Sequence, residues 1–165
     1  MADLYVSLGS NLGNKETQIK TALNEIETRI GTVVVRSGFF YSEPWGFDSN
    51  NHFVNACAFI RTEIPPLECL TVLKDIEKVM GRLKTGKTRY EDRLIDLDIL
   101  MYDQWIYSDE HLTIPHPHLH QRFFVLKPLM EIAPNLIHPT IKQTITTLYE
   151  ALREREKMSS DYHKF

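Results

Sequence analysis

The chain has 165 residues, a formal net charge of −3, and 42% hydrophobic and 25% charged residues. This composition is typical of a globular protein, and the slight acidic balance disfavours a nucleic-acid-binding protein, which normally carries a basic excess. No apolar run reaches the ~18 residues that a membrane span requires, and the N-terminus lacks a secretory-signal pattern. We therefore expect a cytoplasmic protein with a single domain over residues 1–165, in which Cys57 and Cys69 are buried, reduced thiols.

The first part of the chain predicts a strand, a helix and two further strands. Residues 4–8 form an apolar run that a turn at Gly9 ends. Asn14 is predicted to cap a helix whose apolar residues recur at helical spacing up to Ile30, and Gly31 is predicted to stop it. Residues 32–40 are β-branched and aromatic, which predicts a strand, and residues 52–62 are predicted as a second strand after a Pro-, Gly- and Asn-rich loop over 42–51.

The second part predicts one more helix and strand, followed by C-terminal helices. A helix should follow Pro65 and Pro66, and its predicted apolar face comprises Leu67, Leu70, Leu73, Ile76 and Met80. Residues 94–102 predict a strand with a short piece at 105–107 beside it, and helices are predicted at 121–132 and 141–157. The order βαββαβ plus C-terminal helices predicts the α+β class, as a ferredoxin-like plait with an antiparallel sheet and two helices on one face.

Residues 81–88, GRLKTGKT, match the phosphate-binding pattern G-x-x-x-x-G-K-[ST]. A functional loop of that kind joins the end of a strand to the start of a helix, whereas this stretch follows a helix and precedes a strand. We therefore interpret the match as accidental. Residues 82–93 nevertheless carry five basic and two acidic side chains, which is compatible with a clamp for a polyphosphate or with a solvated surface loop.

The next strand carries two carboxylates. Asp96 and Asp98 are two residues apart, so they should share one face at about 7 Å between Cα atoms, with alternate apolar residues from Ile95 to Met101 on the other face. Unpaired charges on an apolar strand are costly. Either an arginine neutralises them, or they bind Mg²⁺ ions that bridge to a nucleotide triphosphate.

An ordered series of motifs extends over nearly the whole chain. It comprises SLGSNLG at 7–13, SEPWG at 42–46, FVNA at 53–56, IEKVMGR at 76–82, RLIDLDIL at 93–100, IPHP at 114–117, RFFVLKPL at 122–129 and EIAP at 131–134. The series resembles the 6-hydroxymethyl-7,8-dihydropterin pyrophosphokinase family of folate biosynthesis. The resemblance implies the same plait, and transfer of pyrophosphate from ATP to the pterin hydroxymethyl group with release of AMP (EC 2.7.6.3).

The resemblance also implies the site residues. The catalytic residues would be Arg82, Arg93, Asp96 and Asp98, with the two aspartates holding two Mg²⁺ ions and Arg82 on a closing loop. The ATP-binding residues would be Glu77, Lys84, Arg89, Ile99, His116 and Arg122. The pterin-binding residues would be Ser42, Pro44, Trp45, Phe53, Asn55 and Phe124. The segment Tyr90-Glu91-Asp92 departs from the family, which often has Trp-Gly-Pro there.

Alternatives remain for several of these residues. Glu77 lies beside the predicted buried helix face, but it could equally be a solvent-exposed partner of another helical residue. Phe53 shares a strand face with Asn55, which suits a flat heterocycle, although Phe53 and Phe124 could each be core residues. His116, His118 and His120 alternate, but the intervening Pro117 and the lack of a nearby cysteine disfavour zinc.

Two other functions are compatible with this fold class. An RNA-binding module would need exposed aromatics in an R-G-F-x-F pattern with basic surroundings, which the sequence lacks. A two-metal nucleotidyltransferase would release pyrophosphate instead of AMP. We expect small-molecule substrates, no nucleic-acid or membrane partner, and a monomer or weak homodimer.

Overall fold

The computed structural model describes residues 1–42, 52–81 and 94–162, with side chains described up to residue 158. The strands are β1 (Ala2–Ser10), β2 (Gly31–Arg36), β3 (Phe40–Ser42), β4 (Phe53–Thr62), β5 (Asp96–Tyr102), β6 (Tyr107–Ser108) and β7 (Thr113–Ile114). The helices are α1 (Lys15–Arg29), α2 (Pro66–Val79), α3 (Phe123–Ile132) and α4 (Ile145–Tyr162), with a short 3-10 helix at Leu119–Gln121. Within these ranges, no helix has both the length and the apolar character needed to cross a membrane.

The main sheet has the strand order β2-β4-β1-β5, with β3 paired to the other end of β4. Strand β1 lies between β4 and β5 and is antiparallel to both. Helix α1 begins after Asn14, whose side chain accepts a hydrogen bond from the Thr17 N–H at 3.3 Å, as its capping role predicts. The predicted ferredoxin-like plait is therefore confirmed.

Two hydrophobic cores lie on opposite faces of this sheet. Helices α1 and α2 cover the first face, where Ile19, Ile26 and Leu73 pack against Leu97 and other strand residues. Helices α3 and α4 cover the second face. The strand residues of this second core come from one end of the sheet and are Tyr5, Cys57, Phe59, Leu100 and Met101. The C-terminal helices thus add a third layer that leaves the other end of the second face for a site.

The predicted strand over 32–40 is two strands. Ser37 interrupts the ladder because it pairs with Cys57 through both backbone and side chain. The Ser37 N–H donates to the Cys57 carbonyl at 2.9 Å, and the Ser37 Oγ accepts from the Cys57 N–H at 2.9 Å. A side-chain oxygen therefore replaces a backbone acceptor, and pairing resumes only at Phe40.

The alternation predicted for β5 fails at its C-terminal end. Tyr5 pairs with Met101 while Val6 pairs with Ile99, so Leu100 is the extra residue of a bulge. Met101 consequently belongs to the second core, on the face opposite Ile99, and the prediction that it shares a face with Ile95 was wrong.

Of the predicted apolar face of α2, Leu70, Leu73, Ile76 and Met80 contact the first core, and Leu67 was predicted wrongly. The buried residues of α2 include Pro66, Cys69, Leu73 and Ile76, whereas Leu67 is 44% exposed. Pro66 is the first residue of the helix and packs inward, which rotates Leu67 towards solvent. The segment at 105–107 does not pair beside β5 as predicted, since β6 forms a separate two-stranded sheet with β7.

The turn between α3 and α4 is organised around a buried histidine. His138 is 4% exposed, and its Nδ1 accepts hydrogen bonds from the backbone N–H groups of Thr140 at 3.2 Å and Ile141 at 3.0 Å. Burial, with a smaller contribution from His120, lowers the pKa of His138. Protonation of Nδ1 would also remove both hydrogen bonds, so the turn requires the neutral ring.

Substitution of Gly31 tests the close packing of β2 on β4. A Cβ at Gly31 would overlap the Arg61 carbonyl oxygen and lie 3.0 Å from the Thr62 Cα. We expect Gly31→Ala to lower the free energy of unfolding by about 2–3 kcal/mol in urea titrations, because backbone atoms must shift. Gly38→Ala is the control, since its Cβ would meet the Glu131 carboxylate at an ordinary 3.7 Å. Equal stability of the two variants would contradict this packing.

Substitution of His138 tests the pH dependence of stability. Folding lowers the pKa of His138, so the unfolded chain binds more protons than the folded chain below pH ~6.5. The free energy of unfolding therefore decreases as the pH is lowered through this range. In His138→Asn, the amide oxygen can replace Nδ1 as the acceptor without titrating. We expect its loss of stability between about pH 7.5 and about pH 5.5 to be smaller than that of the wild type in urea titrations. The exposed His111→Asn should retain the full loss, and an unchanged pH dependence in His138→Asn would refute the assignment.

Candidate active site

Gly9 of β1 lies between the two strands that carry the predicted site residues. It pairs with Asn55 of β4 on one side and with Asp96 of β5 on the other, and Asn55 in turn pairs with Phe40 of β3. Paired residues of antiparallel strands point to the same face. Because Val54, Ala56 and Leu97 belong to the core under α1 and α2, this row lies on the opposite, second face.

Asp96 and Asp98 share that face, as the sequence predicted, and Asp98 pairs with Ser7 one step along β1. The pKa of Asp98 is raised to about 7, mainly by burial and next by the negative charge of Asp96; Glu77 adds to the increase, while Lys74 and Arg122 oppose it. The structure therefore groups three carboxylates from β5 and α2 with one lysine and one arginine. In the absence of a cation, burial and the repulsion from neighbouring carboxylates both favour the protonated form of Asp98.

Glu77 is buried, not the solvent-exposed partner that remained an alternative. It is 1% exposed, and its Oε2 accepts a hydrogen bond from the Leu97 N–H at 3.2 Å. Its Oε1 lies 3.2 Å from the Lys74 Nζ. Leu97 lies between Asp96 and Asp98, so Glu77 fixes the backbone that carries both aspartates.

Sequence reasoning missed Lys74 altogether. Its place three residues before Glu77 on one helix was the available signal, since residues at that spacing are neighbours on a helix surface.

The opposite end of the row is built around the Asn55 amide. Asn55 is 3% exposed, and its Nδ2 donates to the Ser42 Oγ at 2.7 Å and to the Phe40 carbonyl at 3.4 Å. Two predicted pterin-binding residues, Ser42 and Asn55, are thus in direct contact.

Gly9 keeps open the space beside this amide. A Cβ on Gly9 would be 3.2 Å from the Asn55 Oδ1 and 3.5 Å from the Phe53 ring. From the sequence, Gly9 was predicted only to start a turn. A glycine at the end of a strand within the SLGSNLG motif was a signal for close approach of another group.

Arg122 and Phe124 lie at the N-terminal end of α3. Arg122 is 7% exposed, and its guanidinium carbon is 5.6 Å from the centroid of the Phe124 ring. Since Arg122 also opposes the raised pKa of Asp98, the start of α3 reaches the acidic cluster. Phe124 packs at the edge of the second core and is only half-buried, so part of its ring is accessible.

His116 and Ile99 have different surroundings. His116 is 7% exposed, and its backbone N–H donates to the Leu100 carbonyl at 2.9 Å. The Nδ1 atom of its ring accepts a hydrogen bond from the backbone N–H of His118 at 3.1 Å. The proton of the neutral His116 ring therefore resides on Nε2, which can donate to an anion. Ile99 is 3% exposed in the core under α1 and α2, on the face opposite the aspartates.

The three alternating histidines do not converge. The His118 ring nitrogen Nδ1 is 3.0 Å from the Gln121 Oε1, and the His120 ring packs edge-on against His138 at 6.2 Å between centroids. In the described part of the chain, no three His, Cys, Asp or Glu side chains form a group that could hold a metal ion.

Six predicted site residues lie outside the described residues, and they are Pro44, Trp45, Arg82, Lys84, Arg89 and Arg93. The residues that flank the basic segment are described. A Cβ on Gly81 would be 3.2 Å from the Leu94 Cδ1, and Gly81 has a positive φ of 95°. Gly81 and Leu94, the described residues on either side of 82–93, therefore lie side by side, and Leu94 is two residues before Asp96.

The donor set at this end of the sheet fits magnesium. Mg²⁺ in proteins usually binds one or two carboxylates and completes its shell with waters and substrate phosphates. Asp96 and Asp98 offer carboxylates on one strand face, and a cation there would relieve the repulsion that raises the pKa of Asp98.

Comparisons with known proteins agree with this geometry. The sequence profile of the family described as 7,8-dihydro-6-hydroxymethylpterin-pyrophosphokinase (HPPK) matches residues 5–134. A 2-amino-4-hydroxy-6-hydroxymethyldihydropteridine pyrophosphokinase of Porphyromonas gingivalis is 42% identical over 142 residues, covering 84% of this chain and 95% of its own. The enzyme of the same name from Haemophilus influenzae is 40% identical over 157 residues, covering 94% of this chain and 96% of its own.

A solved structure supports the fold independently. The wild-type HPPK-DHPS of Plasmodium falciparum superimposes with a TM-score of 0.78 at 17% identity, covering 96% of this chain. The present chain spans 46% of that longer protein. Because the family profile extends over most of the chain and both bacterial relatives align over nearly their full length, the chain belongs to the 7,8-dihydro-6-hydroxymethylpterin-pyrophosphokinase family.

Proposed function

We propose that the chain transfers the pyrophosphoryl group of ATP to the hydroxymethyl oxygen of 6-hydroxymethyl-7,8-dihydropterin and releases AMP, as a step of folate biosynthesis (EC 2.7.6.3). Family membership supports the activity. The observation that carries the proposal is the row Asn55–Gly9–Asp96, which joins a buried amide at one end to a cluster of carboxylates at the other. The same reasoning favours a cytoplasmic, single-domain enzyme that acts on small molecules.

The reaction forms a bond between the hydroxymethyl oxygen and the β-phosphorus of ATP, and it breaks the bond between that phosphorus and the oxygen bridging it to the α-phosphorus. The hydroxyl proton is released and AMP leaves. Catalysis in such transfers comes mainly from positioning and from neutralising charge on the phosphate oxygens. The site must therefore hold two polar substrates in line and supply positive charge between them.

Asp96 and Asp98 would hold two magnesium ions, which would supply positive charge against the triphosphate oxygens. The hydrogen bond from the Leu97 N–H to Glu77 fixes the strand between these two carboxylates. Lys74 and Arg122 lie close enough to influence Asp98, so they would add positive charge beside the triphosphate. His116 would donate from Nε2, and Arg82, Arg93, Lys84 and Arg89 of the basic segment would bind the remaining phosphate oxygens.

At the other end of the row, Asn55 and Ser42 would bind the polar edge of the pterin, together with Pro44 and Trp45. Asn55 is held by its bonds to Ser42 and Phe40, so its amide is fixed before a ligand arrives. Phe53 and Phe124 would stack on the two faces of the ring system. Ile99 would contact the nucleotide only from the edge of β5, because its side chain is buried on the opposite face.

Substitution of the aspartates tests the metal assignment. We expect Asp96→Asn and Asp98→Asn to lower turnover by about two to three orders of magnitude, since each removes negative charge that would hold magnesium. Formation of AMP from ATP and the pterin measures turnover. Calorimetry should show weaker binding of Mg²⁺ with a non-hydrolysable ATP analogue, which is a readout that does not require catalysis.

Asp75→Asn is the matched control on α2, because Asp75 makes a surface ion pair with Arg29 at 2.7 Å, away from the site. It should retain wild-type turnover. Near-normal activity with Mg²⁺ in either site variant would refute the metal assignment. Release of pyrophosphate in place of AMP by the wild type would instead indicate a nucleotidyltransferase.

Substitution of Gly9 tests the pterin subsite. A methyl group at Gly9 would press on the Asn55 Oδ1 and on the Phe53 ring. Disturbing one buried hydrogen-bonding group costs about 1.4 kcal/mol, so we expect the KM for the pterin to rise about tenfold in Gly9→Ala while the KM for ATP changes little. Gly38→Ala should leave both unchanged. A rise in the KM for ATP alone would place the pterin elsewhere.

A further inference from the structure

The first turn of α1 is bonded to a residue on each side of the segment 43–51. The Tyr41 hydroxyl donates to the Glu16 Oε1 at 2.9 Å, and the Lys15 Nζ donates to the His52 carbonyl at 2.8 Å. Lys15 and Glu16 are the first two residues of α1. Adjacent side chains of one helix thus hold the end of β3 and the residue before β4, and we name these two hydrogen bonds the α1 clasp.

Each bond of the α1 clasp lies one residue from a proposed pterin-binding residue. Tyr41 precedes Ser42, and His52 precedes Phe53. Tyr41 pairs with Val54 and extends from the sheet towards α1, whereas the neighbouring Ser42 contacts Asn55 on the second face. The clasp acts from the first face of the sheet, so its residues have no place in the site itself.

Strand β3 needs such support because it is short and lies at the edge of the sheet. It has three residues, and among the described residues its ladder pairing is with β4 only. Edge strands of this length are held by few hydrogen bonds. The bond between the Ser42 Oγ and the Asn55 amide requires β3 to stay in place. The clasp contacts β3 one residue away, at Tyr41.

The start of α1 is itself fixed. The Asn14 side chain caps the helix through the Thr17 N–H, and the Gln18 N–H donates to the Asn14 carbonyl at 3.0 Å. Further along the helix, the Lys20 Nζ lies 6.0 Å from the centroid of the Phe39 ring, just before β3. A capped helix end is a rigid support for a three-residue strand.

We propose that Lys15 and Glu16 are positioning residues for the pterin half of the site, which hold β3 and the start of β4 so that Ser42, Asn55 and Phe53 stay aligned. The inference rests on the proposed function, because it assumes that these three residues bind the pterin. Neither clasp residue touches substrate in this assignment. Their effect should therefore appear in the KM for the pterin and not in that for ATP.

The test compares variants that break and preserve the bond at Glu16. Tyr41→Phe and Glu16→Ala remove it, whereas Glu16→Gln keeps an acceptor oxygen in the same place. Because one exposed hydrogen bond contributes modestly, we expect the KM for the pterin to rise about threefold in each breaking variant. Glu16→Gln should stay close to the wild type. Glu16→Ala and Glu16→Gln lose the same charge near the helix N-terminus, so their difference isolates the hydrogen bond.

The second bond has its own variant. Lys15→Met retains the aliphatic stem and removes the donor to His52, and it should also raise the KM for the pterin about threefold. Combined with Tyr41→Phe, it should give about a tenfold rise, because the two bonds hold different strands. The combination of Tyr41→Phe with Glu16→Ala should add nothing to either single variant, because both remove one bond.

The matched control is Glu25→Gln, which removes a surface charge from the same helix, 3.9 Å from the Arg29 guanidinium. It should change neither KM. Equal rises in both KM values, a fall in kcat with unchanged KM, or wild-type kinetics in all three breaking variants would overturn the positioning role. Failure of the wild type to turn over the pterin would instead refute the proposed function, so the two failures are distinguishable.

Discussion

Desolvation of closely spaced carboxylates, reinforced by their mutual repulsion, is the constraint on which the site depends. Asp96, Asp98 and Glu77 come together where β5 passes α2, and burial, followed by the charges of Asp96 and Glu77, raises the pKa of Asp98. Such a cluster lowers the stability of the folded chain, because desolvated carboxylates without a neutralising cation destabilise the native state. Lys74 and Arg122 compensate part of the charge. Magnesium ions carried by a polyphosphate substrate would neutralise the remaining negative charge. The carboxylates that lower the stability of the free protein are therefore the same groups that would bind the metal.

The layers of the fold decide where that cluster can act. Helices α1 and α2 seal the first face of the sheet, while α3 and α4 pack over only one end of the second. The aspartates therefore lie beside the second core but are not enclosed by it. Arg122 lies at the boundary, where α3 begins, and brings positive charge from the covering layer to the acidic strand. A plait without the layer of α3 and α4 would lack the positive charge of Arg122 beside the aspartates.

Local sequence patterns predicted the elements and the aspartate pair, because cap residues and strand alternation depend on neighbours in the chain. Asn14 capped α1, and Asp96 and Asp98 shared a face, as predicted. The failures involve contacts between distant segments. Ser37 interrupts a strand only because Cys57 lies opposite, and the importance of Gly9 appears only when β1 lies between β4 and β5. No periodicity in the sequence encodes such cross-strand neighbours.

The β-ladder also sets the separation between the two proposed subsites. Gly9 pairs directly with Asn55 and with Asp96, so two interstrand spacings of about 4.8 Å, roughly 10 Å in all, separate the amide from the acidic strand. Hydrogen bonds from both neighbours hold the central strand, which makes this distance one of the least adjustable in the molecule. For a reaction that depends on aligning an alcohol with a phosphorus atom, a rigid spacing is an advantage that loops could not provide. Loops are then left to supply charge, while the sheet supplies the distance.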